Sequence, residues 1–329
     1  MSAQDQDSIN AAAGQYWSDM LASKAPERVR WWDDETTRRH INIIVVGNPL
    51  DGLHAGFHER LAEYFAGGSA QRAISVGCGL GSKEWNLVRM GAVEHFDLYD
   101  ISIANVELGQ KLAAESGLSD RLSYHLADAF KETIPADYDL VYWNNALHHM
   151  PDAFRAVAWS YDRLRPGGLF AMDDFVGPTR FQWTDENLRW ACAVRRNLPD
   201  RLLQNPWSPG NLVPREIRRD SPETIMAADP SEAADSSRIL PAIKTIFPNA
   251  EILPTGGALY HLAMNDIFCN FTSEDDYTLL RQILMLDQLL AEKGTTQYAV
   301  ALARKPAERS TTSRWRRMPG WIKRLRTCG

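Results

Sequence analysis

Residues 73–81 read AISVGCGLG, an apolar run that passes into a turn with three glycines. Glycine adopts positive φ without strain and lets the backbone approach a ligand closely. A strand that ends in such a turn and leads into a helix is typical of nucleotide-binding α/β domains. Asp100 ends the next apolar run, where such domains place a carboxylate against ribose hydroxyls. The stretch therefore predicts a nucleoside site at the end of the first sheet strand.

The spacing of the glycines narrows the choice of ligand. A turn that holds a pyrophosphate has the pattern G-x-G-x-x-G, whereas residues 77–81 read G-x-G-x-G and Ser82 follows them. The turn thus favours a nucleoside without phosphates and disfavours a nicotinamide-dependent oxidoreductase.

Short apolar runs alternate with helical patterns around this turn. Five of the runs are predicted as strands: RAISV (72–76), HFDLY (95–99), LSYHL (122–126), DLVYW (139–143) and GLFAM (168–172). This alternation predicts a doubly wound parallel sheet with the loops after its strands at one edge. AEILP (250–254) and TQYAVALA (296–303) add two strands, the last at the far side of the sheet. The predicted fold class is therefore α/β, with a mostly parallel, seven-stranded, Rossmann-like sheet.

The other regions differ from this core in composition. Residues 178–262 contain ten of the seventeen prolines, and a long segment of this kind inside a domain is typical of a functional cap. The N-terminal region reads as helical, with Ser8 as a helix cap, and residues 231–247 also read as a helix. The predicted segments are an N-terminal helical cover (1–69), a cofactor-binding core (70–177), an inserted helical cap for the acceptor that includes strand six and a helix (178–295), the last core strand (296–304) and a basic flexible tail (305–329).

Composition predicts a cytoplasmic protein. Apolar residues make up 44% of the 329 residues and charged residues 24%, which is ordinary for a globular protein. No apolar run approaches the roughly 20 residues that span a bilayer. The four cysteines are scattered, as is typical of free thiols in a reducing compartment.

The motifs of this core resemble those of class I S-adenosylmethionine-dependent methyltransferases, in particular the type 11/12-like group that acts on small molecules. AISVGCGLG is similar to the first motif of that family, FDLYDIS to the second, LADAF to the third and DLVYWNNALHHM to the fourth. LRPGGLFAMDDF is similar to the segment that follows. The resemblance implies S-adenosylmethionine as the cofactor, with Asp100 at the ribose and Asp128 at the adenine amino group. The residues that it places at the cofactor are Ser75, Gly77, Cys78, Gly79, Gly81, Asp100, Ile101, Asp128, Ala129 and Asn144.

One residue departs from the family pattern. The family usually has Asp or Glu where this chain has Ser75, and that acid helps to position the methionine part of the cofactor. A hydroxyl group can donate or accept a hydrogen bond but supplies no charge. Tyr16, Trp17 and Arg30 of the N-terminal helices are candidates to replace it, although we expect those helices to act mainly as a packing cover.

Transfer of a methyl group to a hydroxyl requires alignment and removal of a proton. His148, His149 and Asp174 follow the fourth and fifth strands and are the predicted catalytic residues, with His261 as a further candidate base. The histidines and the neighbouring aspartates are the types of residue that coordinate metals, but their spacing matches no metal motif. No metal site is therefore predicted.

The acceptor is predicted to be a small molecule or a glycan or lipid-linked compound, methylated preferably on oxygen. Methyltransferases of nucleic-acid bases have a Pro-Pro-aromatic run after the Asn or Asp at this position. This chain has Ala146 and Leu147 after its two asparagines, so no nucleic acid is expected as the acceptor. Aromatic side chains suit rings, sugars and apolar chains. The expected wall of the acceptor site is Phe181, Trp183, Trp190, Trp207 and Tyr260.

The C-terminal segment is strongly basic. Nine Lys and Arg residues stand against one acid between Arg304 and Gly329, while the whole chain carries a net charge of −6. Tryptophans among these cations are typical of a segment that binds a membrane surface or an acidic partner, and a soluble tail is the alternative. A second alternative concerns the whole chain, because a nucleoside-binding module without catalysis would tolerate Ser75.

Overall fold

The structure is a computed structural model that describes residues 3–22 and 30–307, with side chains from residue 8 to residue 21 in the first range. The predicted membrane- or partner-binding tail therefore lies almost wholly outside the described residues. Within the described part of the chain, no helix is long and apolar enough to cross a membrane.

One seven-stranded sheet forms the centre of the chain, with the strand order β3-β2-β1-β4-β5-β7-β6. Its strands are β1 (Ala70–Val76), β2 (Val93–Asp100), β3 (Leu122–Leu126), β4 (Tyr138–Asn144), β5 (Leu164–Phe175), β6 (Glu251–Gly256) and β7 (Tyr298–Arg304). The first five pair in parallel, whereas β7 is antiparallel to both β5 and β6. All seven predicted strands are confirmed, and so is the fold class. The last strand lies in the far half of the sheet but inside it, since β6 takes the edge.

Ten α-helices surround the sheet in the described residues. They are α1 (Ala3–Ala22), α2 (Glu35–Val46), α3 (Ala55–Tyr64), α4 (Ser82–Arg89), α5 (Ile103–Glu115), α6 (Ala153–Arg163), α7 (Asp185–Asn197), α8 (Pro222–Ala228), α9 (Ile239–Ile246) and α10 (Glu274–Glu292). Several begin at side-chain caps, as polar residues before an apolar stripe predict; Ser273 and Asp276 form a capping box at α10. Two predictions were wrong. Ser8 lies inside α1, and α9 begins only at Ile239, because residues 231–235 form turns and bends and Ser236–Arg238 form a short 3-10 helix.

The sheet is buried on both faces. Residues of β4 alternate between the two cores, so that Tyr142 faces the core under α2, α3 and α4 and Trp143 faces the core under α6 and α9. The carboxyl ends of β1, β4 and β5 meet at one edge, where Asn144 pairs with Asp173. This edge is where parallel sheets of this type bind ligands.

The N-terminal residues pack in two places. Helix α1 contacts α5, next to the predicted cofactor turn, whereas α2 and α3 pack together and α2 contacts α10 and β6. Parts of the chain before the sheet therefore pack near both of its outer strands, against α5 beside β3 and against β6.

Candidate active site

The glycine turn after β1 has the conformation that its sequence predicts. Gly77, Gly79 and Gly81 have φ values of 67°, 57° and 80°, in the left-handed region that favours glycine. A Cβ on Gly77 would lie 3.0 Å from the Cβ of Ala146, so the turn packs directly against the loop after β4. Cys78 is buried within the turn.

Asp100 closes this turn from the neighbouring strand. Its Oδ2 accepts a hydrogen bond of 2.8 Å from the Gly79 amide, and its Oδ1 accepts one of 2.8 Å from the Ser102 amide. Burial raises the pKa of the Asp100 carboxyl. Hydrogen bonds from Ile101 and the Asn105 side chain add to these two and oppose the effect of burial on the pKa. The Asp100 carboxylate is thus anchored firmly beside the turn.

Helix α1 covers the next two predicted positions. A Cβ on Gly14 would lie 2.8 Å from the carbonyl oxygen of Ile101, which shows how closely the helix approaches this loop. The side-chain NH₂ of Asn10 donates a 2.9 Å hydrogen bond to Asp128 Oδ2, and the backbone N–H of Phe130 donates one of 3.0 Å to Asp128 Oδ1. Sequence reasoning missed Asn10, which presents an NH₂ group to the carboxylate predicted to receive another NH₂ group. Ala129 is buried beside Asp128.

Ser75 has a charged partner that sequence reasoning also missed. Its hydroxyl donates a 2.6 Å hydrogen bond to Oε1 of Glu84 in the first turn of α4, and both side chains are buried. Lys83 donates from its Nζ to the carbonyl oxygen of Asn144. Glu84 thus brings a buried carboxylate to Ser75. That Tyr16, Trp17 or Arg30 replaces the family acid stays a prediction. An acid at the third position of the helix that follows the glycine turn is the sequence feature that could have identified Glu84.

A cavity of about 1340 Å³ opens beside the turn. It extends from Ser82 and Lys83 at the start of α4 to Asn145 and His148 after β4. Its other walls come from the N-terminal region and from the inserted segment. Cavities that bind small molecules usually have volumes of about 300–1,000 Å³, so this cavity can hold such a ligand.

The aromatic wall differs from the prediction. Phe181 and Trp183 line the cavity, and Trp17, Trp31 and Trp32 of the N-terminal region line it with them. The other three predicted members do not line it in the described structure. Trp190 and Trp207 are exposed on the surface, and Tyr260 is fully buried against Trp31 and Tyr298. Composition placed these rings in the right segment but could not tell which way each one points.

His148 and Asp174 form a buried pair at the cavity. Asp174 Oδ1 lies 2.5 Å from His148 Nδ1, and Oδ2 accepts hydrogen bonds from the amides of Ala146 and Leu147 at 2.9 and 2.7 Å. Burial lowers the pKa of His148, but the negative charge of Asp174, together with its hydrogen bond, outweighs that effect and raises the pKa above its ordinary value. Asp174 is fully buried and its oxygens are engaged. Its hydrogen bond holds the ring of His148 in place. That Asp174 itself acts on the acceptor stays a prediction.

The inserted segment closes this pair from the other side. Glu232 Oε1 lies 3.6 Å from His148 Nε2, and burial raises the pKa of Glu232. The His149 ring lies against the His148 ring in a tilted contact with centroids 4.0 Å apart, and His149 Nδ1 lies 3.0 Å from the Ser231 hydroxyl. Burial and the neighbouring His148 charge hold the pKa of His149 well below its ordinary value. Ligand atoms of His148, His149 and Glu232 lie within 4.8 Å of one another, so the three side chains could hold a metal ion.

A second Asp–His pair faces the same cavity. His54, which immediately precedes α3, places Nδ1 2.9 Å from Asp173 Oδ2, and both side chains are mostly buried. Sequence reasoning missed His54, because nothing in its local pattern shows that α3 reaches the end of β5. The candidate base His261 also lines the cavity, but burial lowers its pKa to about 3. Asn144 is buried and donates to the Tyr142 hydroxyl at 2.8 Å, so its neighbour Asn145 is the one that lines the cavity.

Comparison with known proteins identifies the core. Residues 73–168 match a family model described as a methyltransferase domain. The 27-O-demethylrifamycin SV methyltransferase of Amycolatopsis mediterranei (strain S699) is 30% identical over 149 residues, which are 44% of this chain and 50% of that protein. The ubiquinone biosynthesis O-methyltransferase of Methylococcus capsulatus (strain ATCC 33009 / NCIMB 11132 / Bath) is 29% identical over 141 residues, 42% of this chain and 54% of that protein. The match thus spans about half the length of these curated relatives.

A solved structure has been matched over most of the chain. The geranyl diphosphate C-methyltransferase of Streptomyces coelicolor A3(2) aligns with 90% of this chain and 98% of that chain, at 12% identity and a TM-score of 0.49.

The strand order, with an antiparallel β7 between β5 and β6, and the glycine turn beside Asp100 define the class I methyltransferase fold. The segment from residue 73 to residue 168 belongs to the methyltransferase domain family.

Proposed function

We propose that this chain transfers the methyl group of S-adenosylmethionine to a hydroxyl group of a small-molecule or sugar-containing acceptor. The observation that carries the proposal is the cavity that joins the start of α4, directly after the glycine turn, to the His148–Asp174 pair. The named activities of the matched relatives, O-methyltransferases of rifamycin and ubiquinone biosynthesis among them, favour oxygen as the methylated atom.

The residues present fit this cofactor. Asp100 lies beside the glycine turn, where we expect it to accept the ribose hydroxyls, and Asp128 accepts the side-chain NH₂ of Asn10 where the adenine amino group is expected. Glu84 supplies a buried carboxylate beside the turn. When bound, S-adenosylmethionine supplies an electrophilic methyl group on a sulfonium.

The chain itself supplies proton transfer. Because Nδ1 of His148 is held by the Asp174 carboxylate, the neutral ring carries its lone pair on Nε2. Nε2 lies beside Glu232, and both side chains line the cavity. We infer that Nε2 removes the proton of the acceptor hydroxyl as the methyl group is transferred. The aromatic rings that line the cavity would then pack on the acceptor and exclude water.

Two measurements test this function. Calorimetry should show binding of S-adenosylmethionine and S-adenosylhomocysteine and no tight binding of NAD. Incubation with S-adenosylmethionine labelled in the methyl group and a cell extract should transfer the label to a small molecule. Tight binding of NAD alone would refute the proposal, and cofactor binding without any transfer would support the inert binding module instead.

The basic tail carries a separate proposal, namely that it attaches the enzyme to an anionic membrane surface. Cations near such a surface are attracted to it, and tryptophans settle at its interface. We expect the full chain to float with phosphatidylcholine–phosphatidylserine vesicles and a chain lacking residues 305–329 to stay in the soluble fraction. Equal partition of the two proteins would contradict the proposal.

A further inference from the structure

Glu84 is a buried carboxylate with one unsatisfied oxygen. Oε1 accepts the 2.6 Å hydrogen bond from Ser75, whereas Oε2 has no hydrogen-bond partner among the described residues. The side chain is only 1% exposed. A buried ionisable group without a partner is costly in free energy. The fold therefore keeps an acceptor at this position that its own residues do not satisfy.

The surroundings of Glu84 locate it under the glycine turn. Burial raises the pKa of Glu84, the charge of Lys83 opposes this, and the charge of Asp100 adds to it. Lys83 is already bound to the carbonyl oxygen of Asn144 and forms no ion pair with Glu84 among the described residues. Glu84 and Asp100 both add to the effect of burial in raising the pKa of the Cys78 thiol. Two carboxylates thus flank the turn, and neither is neutralised by a bonded cation of the described chain.

We propose that Glu84, oriented by Ser75, binds the ammonium group of the methionine part of the cofactor. The inference rests on the proposed function, because S-adenosylmethionine is the ligand that brings an ammonium group to this turn. An ammonium offers both what Oε2 lacks, a hydrogen-bond donor, and what the flanking carboxylates lack, a positive charge. The family has an acid at the position of Ser75. In this chain the hydroxyl of Ser75 instead holds the carboxylate of Glu84 by a hydrogen bond, so that Glu84 supplies the negative charge.

A purely structural role for Glu84 predicts a different behaviour. As the third residue of α4 it also stabilises the positive end of the helix dipole. Loss of that role would weaken every ligand of the turn equally. Loss of an ammonium contact would weaken only ligands that carry the ammonium.

The test compares two ligands by calorimetry: S-adenosylhomocysteine and its deamino analogue, which keeps the carboxylate and lacks the ammonium. In the wild-type chain we expect S-adenosylhomocysteine to bind about 10- to 100-fold more tightly, the range for a charge-assisted hydrogen bond. Glu84→Gln should remove this preference by weakening S-adenosylhomocysteine alone. Glu94→Gln, which changes an exposed acid of β2, is the matched control and should leave both affinities unchanged.

Two further variants keep the outcome decisive. Ser75→Ala should lose part of the preference, because Glu84 loses its orienting hydroxyl. Ser75→Asp combined with Glu84→Gln should restore it, because the carboxylate returns from the other position. Equal weakening of both ligands in Glu84→Gln, or an unchanged preference, would overturn the role of Glu84 while leaving the proposed function intact. Failure of the wild-type chain to bind S-adenosylhomocysteine would overturn both.

Discussion

Replacing Asp100 with alanine is expected to weaken the binding of S-adenosylmethionine and S-adenosylhomocysteine at least 100-fold. The carboxylate holds the Gly79 and Ser102 amides, and we expect it to accept hydrogen bonds from the ribose hydroxyls when the cofactor binds. Charge-assisted hydrogen bonds contribute about 1.5–3 kcal/mol each, and a loss of about 1.4 kcal/mol is tenfold in affinity. Calorimetry with both ligands measures the loss directly.

The control for this variant is Asp120→Ala, which removes an exposed acid from the same half of the domain. It should bind both ligands as the wild-type chain does. Thermal unfolding of both variants shows whether the Asp100 variant retains its fold, since the two backbone amides also lose their acceptor. A folded Asp100→Ala chain with unchanged affinity would exclude the ribose role.

Replacing His148 with alanine is expected to lower kcat by about 10²- to 10⁴-fold, the usual contribution of a general base. The affinity for S-adenosylhomocysteine should remain unchanged, because His148 lies on the acceptor side of the cavity. His125→Ala, a partly exposed histidine of β3, provides the matched control and should retain full activity. A fall in cofactor affinity without a fall in kcat would contradict the proposed role.

Asp174→Asn separates positioning from structure through the pH profile. Asp174 raises the pKa of His148, and a base acts only when it is unprotonated. As the pH is lowered, wild-type activity should therefore begin to fall at a pH above the ordinary pKa of histidine. Without the Asp174 carboxylate, only the weaker effects of the Glu232 and Asp229 charges oppose burial, so the pKa of His148 should fall. The acid limb should then move to lower pH while kcat also decreases. An unshifted limb would contradict the pair. Activity lost to a chelator and restored by a divalent ion would instead favour a metal at His148, His149 and Glu232.

Local sequence was enough to predict the sheet and one half of the site. The strands, the turn of positive-φ glycines and Asp100 follow from short-range patterns of apolar residues and glycine. The carboxylate of Glu84 was within reach of the same pattern, but its contact with Ser75 depends on how α4 leaves the turn. His54 and Glu232 were out of reach, because their partners Asp173 and His148 are far away in the sequence.

The aromatic residues at the cavity show again that contacts between distant parts of the chain cannot be predicted from local sequence. A Pro-rich segment with tryptophans indicates a cap, yet the orientation of each ring depends on packing against distant elements. Trp190 points outward on α7, whereas Trp31, from outside the predicted cap, lines the cavity. Composition therefore locates a function more reliably than it assigns individual side chains.

Asp173 and Asp174 are consecutive residues of one strand, and their side chains serve two different segments of the chain. Asp173 receives His54 from the N-terminal helices, and Asp174 receives His148, which the inserted segment covers through Glu232. Segments attached to a stable sheet can open locally at a lower free-energy cost than global unfolding. Local opening of either segment would therefore separate one Asp–His pair, or its Glu232 contact, without unfolding the sheet.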